Sequence, residues 1–279
     1  MTKIHLSRDA PVILIDASYF AIHRLFATSR WWSMKNTSQL AGNEAFVEAL
    51  IKHSEADVTK IQKKWGLIGR GNKAIAPNNI IFCQDCPPSS IWRIQVYGEY
   101  KRRYRTDPSQ DVTYKTDSPS VSDSIRVHGH HAVAHPSLEA DDVVCLLHRQ
   151  VRAVMGQAQD IVIISSDHDF LQLKDDHCNI FSLPFKDIWP EGLKKGTADI
   201  NRKILMGDVS DDIPAVLTKK QINLYMGLEE RDREAYLCQL GCYQAFERNM
   251  KLMCWKHIPD DLVEGFNQNW MIEGSLHKN

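Results

Sequence analysis

No stretch of this 279-residue chain is long and apolar enough to cross a bilayer. Its apolar runs, such as Ile161-Val162-Ile163-Ile164, are a few residues long, against the ~20 that a spanning helix needs. The first ten residues are polar and lack the apolar segment of a secretion signal. Both absences lead to the expectation of a soluble protein of the cytoplasm with no membrane contact. Paired cysteines are missing too: there are seven, at 83, 86, 145, 178, 238, 242 and 254, an odd number at irregular spacing, which argues for free thiols rather than a disulfide framework. Cys83-x-x-Cys86 has no second CxxC to complete a zinc site. The chain also lacks a basic surplus, with a formal net charge of −1. That does not exclude nucleic acid, because a metal-binding carboxylate cluster would offset basic surfaces elsewhere. There are no internal repeats.

What is present is globular composition, 43% hydrophobic and 25% charged, in a length that suits one large domain with a smaller one appended. Pro11–Asp16 reads as a buried strand ending in an acid. Glu44–Trp65 reads as a helix, with Val47, Leu50, Ile51, Val58, Ile61 and Trp65 forming one apolar stripe and Gly66 as its stop. Asn79–Cys83 is a second strand. Arg105–Ser124, rich in Ser, Thr, Asp and Pro, reads as a mobile loop. Glu139–Gly156 is a helix with Ser137 as candidate cap and Gly156 as candidate stop, and Ile161–Ile164 is a third strand. Alternating strands and helices predict an α/β fold, a parallel sheet flanked by helices, over residues 1–205. Beyond about 205 the strand signal ends. Helices such as Arg231–Leu240 and Tyr243–Trp255 then predict a smaller C-terminal helical domain, 206–279.

The acids sit where this fold would gather them. Asp16 ends the first strand, Asp85 follows the second, and Asp167 and Asp169 follow the third. Ligands bind outside the carboxyl ends of the strands in an open parallel sheet. Glu139, Asp141 and Asp142 open a helix, where the helix dipole alone would favour acids. Asp208 and Asp211 form a late pair. So many carboxylates in one cleft repel one another unless cations lie among them. Hard oxygen donors suit Mg²⁺, with Mn²⁺ as a substitute, and two such ions about 4 Å apart suit phosphoryl displacement.

Residues 93–105 carry five basic side chains (Arg93, Lys101, Arg102, Arg103, Arg105) and one acid, interleaved with Tyr97, Tyr100 and Tyr104. Lys and Arg suit phosphates and Tyr suits unpaired bases. A solvated basic face is the plainer alternative. His128, His130, His131 and His135 read as solvated side chains leading into a helix rather than as a zinc site.

Leu138-Glu139-Ala140-Asp141-Asp142, Ser165-Ser166-Asp167-His168-Asp169-Phe170 and Gly207-Asp208-Val209-Ser210-Asp211-Asp212-Ile213-Pro214, with Trp92-Arg93 and Tyr100-Lys101 after Asp85, resemble the flap endonuclease / 5′–3′ exonuclease family in order and context. The resemblance runs from about residue 10 to 265. It implies a PIN-like nuclease fold and metal ligation by Asp16, Asp85, Glu139 and Asp141 at one ion. Asp142, Asp167, Asp169, Asp208 and Asp211 make up the rest of the set. Lys101 takes the place of the catalytic lysine, in a basic arch at about 93–125. It further implies removal of RNA primers or 5′ flaps from DNA and RNA–DNA hybrids during replication, by a monomer that would meet single-strand-binding protein and a sliding clamp. The chain departs from the family in three places, one of them Tyr104, which stands between Arg103 and Arg105 where an arginine is expected three residues after the lysine. Asp212 stands where the family has Asn, and Ala215-Val216-Leu217-Thr218-Lys219-Lys220 replaces the glycine-rich turn that grips duplex and often K⁺. That leaves Lys219 and Lys220 as candidate phosphate contacts and K⁺ without its usual site. The sequence leaves open a PIN-like ribonuclease, a protein that binds nucleic-acid ends without cutting, and an Asp-x-Asp phosphatase. The basic arch and the Asp208/Asp211 pair favour the 5′-nuclease.

Overall fold

The computed structural model describes residues 1–35, 44–69, 75–106, 130–183, 185–188 and 197–275. All but the first two residues of the expected mobile loop at 105–124, and most of the arch, lie outside them, as does His128. The strands are β1 (Thr2–Ser7), β2 (Val12–Asp16), β3 (Ile80–Cys83), β4 (His131–Val133), β5 (Ile161–Ile164), β6 (Cys178–Phe181) and β7 (Trp270–Ser275). The helices are α1 (Ala17–Lys35), α2 (Glu44–Lys64), α3 (Arg93–Val96), α4 (Arg102–Thr106), α5 (Ala140–Met155), α6 (Thr197–Met206), α7 (Lys219–Gly227), α8 (Glu230–Gln239), α9 (Tyr243–Met253) and α10 (Asp260–Asn269).

Strands β4-β3-β2-β5-β6 form one sheet in that order, every pair parallel. Val12–Ile15, Ile80–Cys83 and Ile161–Ile164 are buried throughout, as expected of parallel strands covered on both faces. Because side chains alternate along a strand, Val12 and Leu14 join a core with α5, while Ile13 and Ile15 join one with α1 and α2. Each such fully buried side chain contributes about 1.5–3 kcal/mol. Helices α6–α9 build smaller clusters around Leu205, Ile222, Leu237 and Leu252.

Four departures from the sequence reading have physical causes. Strand signal does not end at 205. Trp270–Ser275 forms β7 because β1 supplies its hydrogen bonds in a parallel register running from Thr2 opposite Trp270 to Ser7 opposite Ser275. The polar N-terminus hides an alternation that buries Ile4 and Leu6. Helix α1 went unseen because apolar residues lie on both its faces, with Phe20 and Trp32 buried but Phe26 and Met34 exposed. Finally, the N-cap of α5 is Glu139, not Ser137; Asp142 reaches back to the Glu139 backbone N–H at 3.3 Å. The stops at Gly66 and Gly156 are both at positive φ, 70° and 94°.

Candidate metal centre

The parallel sheet ends its strands on one side, and the acids follow. Asp16, Asp85, Glu139, Asp141, Asp167, Asp169, Asp208 and Asp211 line one cleft of about 200 Å³, together with Lys101, Lys203 and Ser18. Donors from neighbouring turns and from distant segments hold the carboxylates. Asp16 accepts from the Tyr19 N–H at 2.9 Å and the Ser165 hydroxyl at 3.0 Å. Asp85 accepts from the Ser18 hydroxyl and, at 2.8 Å, from the Ala140 N–H in the first turn of α5. Asp141 accepts from the Asp142 N–H at 2.8 Å and the Trp255 indole N–H at 3.4 Å. Asp167 accepts from the Asp169 N–H at 2.8 Å.

Asp208 and Asp211 ride on a tight turn in which Asp208 and Ile213 pair as an antiparallel bridge. Gly207 begins it at φ 68°; a Cβ there would lie 2.4 Å from the Ile213 carbonyl oxygen. Lys101, itself at φ 48°, donates its backbone N–H to the Asp211 carbonyl at 2.9 Å. Its Nζ lies 2.6 Å from Glu139 and 3.7 Å from Asp211.

The charges are not balanced. Burial, with Asp85 next in effect, pushes Asp16 up to about 7. Burial and the neighbouring Asp167 push Asp169 up to about 6, against the pull of Lys203. Asp85, Asp141 and Asp211 are also raised, in each case first by burial. Glu139 goes the other way: burial would raise it, but Lys101 and Arg93 outweigh burial and hold it low. Lys101 and Lys203, though buried enough to lose charge, are held protonated by the surrounding acids. The cleft thus holds more carboxylate than its own ammonium groups neutralise, and it presents only hard oxygen donors.

Three predicted site residues turn inward and bond to the acid cluster. Asp142, expected among the metal ligands, is fully buried. Although Glu139, Asp141 and Asp142 offer oxygens within 4.8 Å of one another, both Asp142 oxygens are taken by Arg93 at 2.7 Å, and the Trp92 indole adds a bond at 2.9 Å. Arg93, expected to bind nucleic acid, is 2% exposed; it spends its donors on Asp142, on Glu139 at 2.8 Å and on the Leu252 carbonyl at 2.7 Å. Tyr100, expected against bases, is 2% exposed and donates to Glu139 at 3.0 Å. A basic-aromatic run read by composition does not reveal which members turn inward.

Of the other basic residues, Arg102 is exposed beside Glu99. Arg103 donates from side chain and backbone to Asp212, which adopts φ 57°. Arg105 donates to the Tyr100 and Gly98 carbonyls. Lys219 and Lys220 are exposed in the first turn of α7, behind a Thr218–Gln221 capping box. His130, His131 and His135 form no ligand group with one another among the described residues. Lys203 was missed: its Nζ bonds Asp169 and lies 3.0 Å from Asp208, and a lone lysine in an amphipathic helix carries no sequence signal.

Residues 11–203 match the family described as 5′-3′ exonuclease, N-terminal resolvase-like domain. The chain is 30% identical over 215 residues to the 5′-3′ exonuclease of Buchnera aphidicola, covering 75% of this chain and 66% of that protein. It is 30% identical over 146 residues to DNA polymerase I of Deinococcus radiodurans, covering 49% of this chain and 14% of the polymerase. The chain therefore spans about two-thirds of one of these relatives and a small part of the other. Among solved structures, a zinc-bound T5 5′-exonuclease superposes with TM-score 0.62 at 15% identity, over 93% of this chain and 97% of that chain. A bacteriophage T5 flap endonuclease complex with DNA and metal ions gives 0.59 at 15%, over 92% and 96%. At these identities the likeness is one of fold.

Proposed function

The chain belongs to the 5′-3′ exonuclease family, and from that membership we propose that it hydrolyses phosphodiester bonds near the 5′ end of a nucleic-acid strand, using Mg²⁺ held by its acid cluster. One observation carries this reading: eight carboxylates from separate segments converge on one cleft with too few cations of their own. Burial in this cleft raises the proton affinity of Asp16, Asp85, Asp141, Asp169 and Asp211, and oxygen-only donors fit Mg²⁺ or Mn²⁺. Asp16, Asp85, Glu139 and Asp141 would hold one ion; Asp167, Asp169, Asp208 and Asp211 would hold a second. Bound there, divalent ions supply charge stabilisation for attacking and leaving oxygens and ease deprotonation of water.

The chain's own groups do the rest. Lys101, kept charged by Glu139, offers an ammonium group to the charge that develops on the scissile phosphate. Tyr100 and Arg93 fix the rotamer of Glu139. Arg102 and Arg103 at the base of the arch, with Lys219 and Lys220 on α7, meet backbone phosphates. Duplex would lie against residues 206–279, and substrates would be DNA and RNA–DNA hybrids with 5′ ends, flaps or forks. In replication the protein would meet single-strand-binding protein and a sliding clamp.

The test is cleavage of a 5′-labelled flap and of an RNA-primed duplex, each with Mg²⁺ and with EDTA. Metal-dependent release of short 5′ products is expected. Tight binding of the flap in Mg²⁺ with no cleavage of either substrate would replace this reading with that of a non-cutting end-binding protein.

A further inference from the structure

The end of α9 and the turn after it reach three elements around the cleft at once. The Leu252 carbonyl accepts from Arg93, the residue that clamps Glu139 and Asp142. The Met253 carbonyl accepts from Gln172 at 3.0 Å, in the 3₁₀ turn that begins at Asp169's neighbour His168. Trp255, 4% exposed, lies tilted against Phe170 at 5.6 Å between ring centroids. Its carbonyl accepts from Arg149 at 2.8 Å, on the helix that Glu139 caps, so backbone and ring are both fixed.

From that fixed position the indole N–H points at Asp141 Oδ2, 3.4 Å away, while Asp141 Oδ1 takes the Asp142 N–H at 2.8 Å. The carboxyl torsion of an aspartate is broad and roughly two-fold, so one donor alone leaves the second oxygen free to swing. Two donors on opposite oxygens fix it. Each oxygen keeps a further lone pair for a cation. We propose that Trp255 is a positioning residue: its indole N–H sets the orientation in which Asp141 meets a divalent ion. This rests on the metal-dependent reading above.

The test is calorimetric titration of the metal-free protein with Ca²⁺ in the absence of nucleic acid, alongside steady-state cleavage kinetics in Mg²⁺. Trp255→Phe removes the N–H and keeps the ring; Phe170→Leu removes the ring contact and keeps the N–H. We expect Trp255→Phe to bind Ca²⁺ about 10-fold more weakly, the usual scale for outer ligand supports, and to lower kcat with KM within about two-fold, since nothing that touches substrate is removed. Phe170→Leu, which loosens the ring but leaves the N–H to donate, should weaken Ca²⁺ binding clearly less than Trp255→Phe even where it lowers the melting temperature. Wild-type affinity in Trp255→Phe, or an equal loss in both variants, would overturn the proposal. If the wild type itself binds no Ca²⁺, it is the metal-dependent reading that fails.

Discussion

Lys203 shows what a single side chain does in a cleft of like charges. Its ammonium lies between Asp169 and Asp208, so in metal-free protein it does part of a cation's work. Removing it leaves both carboxylates without that partner, and losing a bond to a charged group costs about 1.5–3 kcal/mol. Lys203→Ala should therefore lose roughly that much stability in EDTA, and clearly less in saturating Mg²⁺, as read by urea unfolding. An equal loss in both buffers would mean that Lys203 only packs. Asp16, Asp85, Asp167 and Asp169 were legible in the sequence because apolar runs mark the strand ends and these acids follow them. Lys203, Ser18 and Trp255 were not, because each reaches the site through a helix or loop placed by tertiary contacts. Arg93 was misread for the opposite reason: its charge was visible and its burial was not.

At the scale of elements, the turn from Gly207 to Ile213 is the least tolerant part of the site. A Cβ at Gly207 would meet backbone atoms of Ile213, Pro214 and Ala215 within 2.7 Å, and no side chain can yield there. The left-handed backbone costs a non-glycine residue about 1–2 kcal/mol, and overpacking adds about 1–3. Gly207→Ala is expected to cost roughly 2–5 kcal/mol and to abolish cleavage by displacing Asp208 and Asp211. A variant that unfolds and cuts like wild type would show that the turn is looser than its contacts. Helix α5 makes a second prediction. Burial, then the neighbouring Arg152, pushes His148 down to about 4. The unfolded chain therefore binds the proton first, and stability falls as pH drops from the ordinary histidine range through about 4. At about 1.4 kcal/mol per unit the loss is on the order of 2–3 kcal/mol, and His148→Gln should flatten that part of the urea-midpoint profile. Helices α2 and α5 could be read from apolar periodicity and the three central strands from their apolar runs. The edge strands could not, since β4, β6 and β7 each show few buried residues and exist through their pairing partners.

At the scale of the whole molecule, stability and cation binding are linked through the same carboxyls. With Asp16 pushed up to about 7 and Asp169 to about 6, the metal-free fold retains protons that the unfolded chain releases. Its stability therefore falls as pH rises from the ordinary carboxylate range to about 7. Cations need these groups ionised, so their stabilisation grows over the same interval. Saturating Ca²⁺ should raise the melting temperature by several degrees at about pH 8, and by less than half as much at about pH 5.5. A shift independent of pH would place the ions on other ligands.

The parallel pairing of β1 with β7 joins residues 268 positions apart, Thr2 with Trp270. Such a contact cannot form until β7 has been made, and translation at about 5–20 residues per second leaves Ile4 and Leu6 without their strand partner for on the order of 10 to 50 s. The acid loops, complete by Asp211, leave the ribosome earlier, so during synthesis the protein carries its acid cluster before it has the strand that pairs with β1.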